Sequence, residues 1–172
     1  MLFQKILFSN EECDFLLNYK NNVIQTCDDG NYPNRTDVNY SQWTVQRNND
    51  LEFVYKKIEN FIHKMFGVEI IKFDEEGWIY EYSLNDGYGM HRDNVFNRRF
   101  TIGIQLNEEY EGGDLQVEID NKIINVNKNK GNCYIFESHL LHGVKPVTFG
   151  NRYNFLTFMK KNNYKETNIN LI

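Results

Sequence analysis

The sequence predicts an α+β fold whose core is an antiparallel double sheet, and three observations predict it. The first 66 residues hold two stretches with the 3.6-residue apolar period of amphipathic helices. From Trp78 onward the period falls to two, in many short runs. The composition, with 13 Phe and 11 Tyr, suits pleated surfaces. Helices first and short strands afterwards argue for helices set against stacked antiparallel sheets. A length of 172 residues, 41% of them apolar, supports one core. No repeat, linker or low-complexity block divides the sequence, so one domain over residues 1–172 is expected.

Residues 2–8 alternate and predict a short strand. Ser9 and Glu12 form a capping-box pattern, with Ser9 as N-cap and Glu12 at the third helical position. The helix that follows turns Cys13, Leu16, Leu17 and Tyr19 toward the core. Residues 20–48 are polar, contain Gly30 and Pro33, and predict a long loop with a strand near Gln42–Gln46; a loop this long can cover a substrate. Leu51, Val54, Tyr55, Ile58, Phe61, Ile62, Met65 and Phe66 then keep i, i+3, i+4, i+7 spacing, with Asn49 or Asp50 as the cap and Gly67 as the stop. His63 falls beside this stripe, at the surface. Trp78, Tyr80 and Tyr82 share one strand face. Ile102, Ile104 and Leu106 alternate with Thr101, Gly103, Gln105 and Asn107. Residues 115–119 and 122–126 form a hairpin turning at Asp120 and Asn121. Runs at 133–136 and 153–158 complete the strands, and a polar tail begins near Lys160.

A net charge of −5 and a pI near 5.4 argue against general nucleic-acid binding, which relies on neutralising phosphates. Cys13, Cys27 and Cys133 are odd in number and lack metal-site spacing, which fits a reduced compartment. Neither a signal peptide nor an apolar run of membrane-spanning length is evident, so a cytoplasmic location is expected. The sequons at Asn34 and Asn39 then carry no weight. The 25 Asn, mixed with Lys and Ile, point to A·T-rich coding and a viral or low-G·C microbial source.

Chemistry concentrates in Tyr80–Asn94, which contains His91 and Asp93. On a strand, side chains two apart share a face, so this pair can offer an imidazole nitrogen and a carboxylate oxygen to one metal ion. A third ligand must come from elsewhere, and the downstream candidates are His139 and His142. Two histidines and a carboxylate on one side of an octahedral ion is the donor set of non-heme Fe(II) sites. Taken alone, His-x-Asp is a weak signal and more often a solvated pair.

The wider pattern strengthens it. Ser9 to Cys13, Tyr82 nine residues before His91, Gly87 to Asn94, Arg98 to Thr101, Gln105 to Asn107, Tyr110 to Leu115 and His142 to Arg152 follow one another in order. Together they resemble the Fe(II)- and 2-oxoglutarate-dependent dioxygenases, in particular the prolyl 4-hydroxylase group and the PKHD-type hydroxylases. The resemblance spans nearly the whole sequence and is tightest from Trp78 to Phe158. It implies a double-stranded β-helix (jelly-roll, cupin-like) core over about 72–160, with N-terminal helices over about 9–67 packed on one sheet. It implies His91, Asp93 and His142 as metal ligands, because a Gly-Val-x-Pro-Val-Thr run follows the family's distal histidine and follows His142 here. Arg152, ten residues on, is implied to bind the far carboxylate of 2-oxoglutarate, for which a planar guanidinium is suited. Tyr82 is implied to add a hydroxyl there, with Tyr80 as the alternative of equal parity. Gln105 is implied as a second side chain on the cosubstrate. Arg98 is implied as a substrate contact, with Arg99 one register away. Gly112 and Gly113 are read as a tight turn.

The implied activity is hydroxylation of a C–H bond, with O2 consumed and succinate and CO2 released. The cofactors are Fe(II) and 2-oxoglutarate, with ascorbate as an accessory reductant. No catalytic side chain beyond the metal centre is required. A peptidyl proline is the expected substrate; a free amino acid, another protein side chain or a small metabolite is the alternative. A nucleic-acid substrate fits the acidic charge poorly. A reading of another class is a non-catalytic jelly-roll binding protein, against which stands the presence of Arg152 together with all three ligands.

Overall fold

Helix α1 (Asn10–Tyr19) opens with both halves of the expected capping box. The Glu12 amide donates to Ser9 Oγ (3.3 Å) and the Ser9 amide donates to Glu12 Oε2 (2.8 Å). The computed structural model describes residues 1–26, 38–66, 73, 76–95 and 97–160. Residues 27–37 of the long loop with Cys27 and the first sequon, the Gly67 stop and the tail beyond Lys160 lie outside them.

Strand β1 (Leu2–Ile6) precedes α1; β2 (Val38–Asn39), β3 (Ser41–Gln46) and helix α2 (Glu52–Phe66) follow it. The remaining strands are β4 (Glu76–Tyr82), β5 (Gly87–His91), β6 (Arg98–Gln105), β7 (Glu111–Gly112), β8 (Leu115–Ile119), β9 (Lys122–Asn125), β10 (Asn132–Glu137), β11 (His142–Val144), β12 (Val147–Phe149) and β13 (Arg152–Lys160). They build a six-stranded sheet ordered β1-β10-β6-β13-β4-β3 and a five-stranded sheet ordered β2-β5-β11-β8-β9, both antiparallel. Strands β7 and β12 form a small ribbon of their own. The fold is the expected double-stranded β-helix with helices on one sheet.

Strand parity explains where the core sits. On the outer face of the large sheet, Ile79, Ile102, Ile104, Cys133, Ile135 and Phe155 pack against Cys13 and Leu16 of α1 and against Val54, Tyr55, Ile58 and Ile62 of α2. Burying each such large apolar side chain is worth about 1.5–3 kcal/mol, so this face dominates stability. Between the sheets the apolar filling is smaller: Leu115, Val117, Val126, Tyr134 and Phe136. The rest of the inter-sheet space is a cavity.

Three local expectations need correction. Neither Asn49 nor Asp50 immediately precedes α2, which starts at Glu52; the turn before it is held by Asn48, whose Oδ1 accepts from the amides of Asp50 (2.9 Å) and Leu51 (3.3 Å). Met65 is exposed because it lies at the end of the stripe, past the sheet. Asp93 does not share a strand with His91, because β5 ends at His91. The β8–β9 hairpin turns where expected, on Asp120 and Asn121, both with positive φ (51° and 59°). That two-residue geometry matches the twist of the paired strands. Gly112 and Gly113 also have positive φ, as a tight turn requires. Among the described residues no helix is long and apolar enough to cross a membrane.

Candidate metal site

Strands β5 and β11 are antiparallel neighbours, and His91 sits directly opposite His142. The ladder then slips. Two residues onward on β11, Val144 faces Tyr88, so β5 carries one residue more than its partner. Such a bulge lets Tyr88 and His91, three apart, both point between the sheets. It also brings the Gly89 carbonyl 2.9 Å from His91 Nδ1, and His142 Nδ1 is likewise 2.9 Å from the Leu140 carbonyl. A carbonyl only accepts, so each Nδ1 donates, and in the metal-binding tautomer each ring turns an Nε2 lone pair inward.

Asp93 stands where those lone pairs meet. Its Oδ1 is 3.4 Å from His91 Nε2 and its Oδ2 is 3.1 Å from His142 Nε2. Its amide donates to the Ser138 carbonyl (2.8 Å), which fixes the bend after β5. Ligand atoms of all three residues lie within 4.8 Å of one another. Three electron-pair donors aimed at one point repel unless a cation lies among them, so this donor set fits a divalent metal. The open side suits an octahedral ion with further positions free.

The cluster lies on the wall of an inter-sheet cavity of about 650 Å³. Arg152, the first residue of β13, lines the same cavity and is 1% exposed. Among the described residues no carboxylate pairs with it. Its Nη2 reaches Asn154 Oδ1 at only 3.4 Å, and its Nε has no partner there. A buried guanidinium without an anion is costly, and that cost is relieved when a carboxylate binds. Tyr82 is its cross-strand neighbour, with the ring centroid 5.2 Å from Cζ. Tyr134 donates to Asn154 Oδ1 at 2.6 Å. Burial raises the pKa of Tyr82 and pushes that of Tyr134 up to about 12, so both are neutral phenols near pH 7. Gln105 pairs with Asn154 across β6 and β13 and so faces the same side. It is fully buried, and both its amide atoms lack a partner among the described residues.

Residues 77–160 match the family model of the 2OG-Fe(II) oxygenase superfamily. The chain is similar to that superfamily over these residues. The donor set of His91, Asp93 and His142 fits the Fe(II) of that superfamily. The chain is also similar to PKHD-type hydroxylases of Prochlorococcus marinus. One, from strain MIT 9211, is 36% identical over 76 residues, which cover 41% of this chain and 34% of that protein. Another, from strain AS9601, is 28% identical over 158 residues, covering 85% of this chain and 72% of that protein. The chain thus spans about a third of the first relative's length and nearly three quarters of the second's. Among solved structures it resembles a Pseudomonas putida prolyl-4-hydroxylase, with a TM-score of 0.73 and 15% identity over 94% of this chain and 92% of that one.

The remaining candidate residues fall on both sides of the cavity wall. His139 is exposed and outside the ligand cluster, and its carbonyl accepts from the Arg92 guanidinium. Tyr80 lines the cavity in a stacked pair with Tyr82, but Tyr82 is the one opposite Arg152. Arg98 lines the cavity with its guanidinium 3.5 Å from the Phe158 ring centroid; Arg99 does not line it. Several site residues escaped the sequence reading: Tyr40, Tyr88, Thr101, Tyr134, Ser138 and Asn154. Asn154 had a signal, being a polar residue of the same parity as Arg152 within an apolar strand. Tyr134 had none, since it sits in a run that reads as core.

Proposed function

We propose that this protein is an Fe(II)- and 2-oxoglutarate-dependent hydroxylase acting on a peptidyl proline, with succinate and CO2 as co-products. The helices and both sheets act as one domain in this reading. The observation that carries it is a single cavity joining a two-histidine, one-carboxylate cluster to a buried arginine that lacks an anion. His91, Asp93 and His142 hold the metal. When bound, the metal and cosubstrate supply the oxidising power for C–H hydroxylation. Arg152 clamps the far carboxylate of 2-oxoglutarate, and Tyr82 donates a neutral hydroxyl to it. Gln105 adds a hydrogen bond at the same deep end. Trp78, Tyr80, Tyr88 and Phe158 form aromatic walls that exclude water and can lie flat against a pyrrolidine ring. Arg98, held over Phe158, meets the substrate at the mouth. The likeness to a prolyl-4-hydroxylase supports the choice of proline over other substrates.

The test is succinate formation from 2-oxoglutarate in air with Fe(II) and ascorbate, together with the mass gain of one oxygen on proline-containing peptides. Iron-dependent succinate coupled to peptide oxidation, and lost in Asp93→Ala, is the expected result. Turnover that persists in Asp93→Ala defeats the metal assignment. Coupling to free amino acids but to no peptide defeats the proline assignment and leaves the chemistry standing.

A further inference from the structure

Thr101 and Ser138 are 1% and 0% exposed, and they touch the candidate metal site from behind. Thr101 Oγ1 lies 2.9 Å from Asp93 Oδ2 and 3.1 Å from Ser138 Oγ. The direction of these bonds follows from counting protons. An ionised carboxylate only accepts, so the single Thr101 hydroxyl proton goes to Asp93. Thr101 then has only lone pairs to offer Ser138, so Ser138 must donate to it. The chain therefore runs one way, from Ser138 through Thr101 to Asp93.

The backbone holds this chain rigidly. The Ser138 amide donates to the Arg99 carbonyl (2.9 Å), and the Ser138 carbonyl accepts from the Asp93 amide (2.8 Å). One serine thus ties β6, the turn after β10 and the bend after β5 to one another. Thr101 is on β6, whose neighbours on both sides are paired strands, so its Cβ has little freedom to move. Among the described residues Thr101 is the one hydroxyl bonded to Asp93. A threonine there satisfies a buried polar group, as any folded interior demands. Its aim at the carboxylate oxygen, with a second hydroxyl fixing its proton, does more: it selects a rotamer for Asp93.

We infer that Ser138 and Thr101 form a positioning relay that holds one oxygen of Asp93 and leaves the other to coordinate the metal. This rests on the reading of Asp93 as a ligand. A carboxylate held in this way binds through one oxygen, which keeps further coordination positions open for cosubstrate and O2. Partners of this kind, one bond removed from the metal, tune affinity as well as orientation.

Co(II) titration of the metal-free protein, followed by its visible absorption, tests the relay without turnover. Thr101→Val keeps the shape and removes the hydroxyl. It should weaken Co(II) binding by about 10- to 100-fold and shift the absorption bands, while Thr101→Ser restores both. Thr101→Val protein that melts as a folded unit, binds Co(II) within about twofold of wild type and keeps its spectrum overturns the relay. Should Thr101→Val not fold, Ser138→Ala carries the same test: several-fold weaker binding supports the relay, and wild-type affinity with an unchanged spectrum overturns it. Asp93→Ala separates the two layers of the argument. Co(II) affinity that survives Asp93→Ala removes the ligand reading, and the relay with it.

Discussion

Arg152 is a buried positive charge with no carboxylate paired to it among the described residues. Its value is therefore conditional on a ligand. Arg152→Met should leave the ligand-free protein as stable as wild type or raise its melting temperature, because an unpaired buried charge is replaced by an apolar chain of similar length. The same variant should lose the thermal stabilisation that 2-oxoglutarate gives the metal-loaded wild type. In turnover, Arg152→Gln should raise KM for 2-oxoglutarate by about 10- to 150-fold, the equivalent of about 1.5–3 kcal/mol for hydrogen bonds to a charged group. An unchanged KM would mean that the carboxylate binds elsewhere. At this scale much of the site was legible. His91, Asp93, His142 and Arg152 stood out as candidates through the ordered run of motifs around them, since His-x-Asp or a lone arginine by itself is a weak signal. Thr101, Ser138 and Asn154 did not, because a hydroxyl or amide in a strand has many uses and only the folded neighbour selects one.

Strands and helices differ in how openly their sequence declares them. Helices α1 and α2 and strands β4, β6, β8, β9, β10 and β13 have long runs of one period and could be placed in advance. The strands that carry the site, β5 and β11, are short, contain glycine and are joined through a bulge, so no period survives in them. The turn before α2 is a smaller case of the same limit: Asn48, Asn49 and Asp50 are alike in chemistry, and the Arg47–Glu52 ion pair, which clamps the turn, was not visible beforehand. Asn48→Ala should cost about 1 kcal/mol in urea unfolding, whereas Asn49→Ala should cost almost nothing. Strand β6 invites a sharper test. A Cβ on Gly103 would lie 2.1 Å from Tyr134 Oη, so the ring reaches Asn154 only because residue 103 has no side chain. Gly103→Ala should cost about 1–3 kcal/mol from overpacking and, unlike the Asn48 variant, also weaken 2-oxoglutarate binding. Equal affinity in Gly103→Ala would show that Tyr134 and Asn154 stand apart from the cosubstrate.

Taken whole, the molecule separates what holds it together from what it holds. The packed face of the large sheet lies against the helices, and the cavity lies on the opposite face of the same strands. Ligands should therefore add to stability rather than create it. Saturating Mn(II) with 2-oxoglutarate at about 100 times their dissociation constants should contribute about 2.7 kcal/mol. For a protein of this size that corresponds to a rise of very roughly 5–11 °C in melting temperature. A metal-free sample that is unfolded at room temperature would contradict this separation. The division also bears on how such a chain can change over time. Alternate residues of one strand answer to different demands: Ile79, Ile102 and Phe155 to the stability threshold, Tyr80, Thr101 and Asn154 to the cavity. Substitutions on the second set can explore new substrates while the first keeps the protein above the threshold at which function fails. Two-faced strands thus give this scaffold a capacity for innovation that a protein with its site cut into its only core would lack.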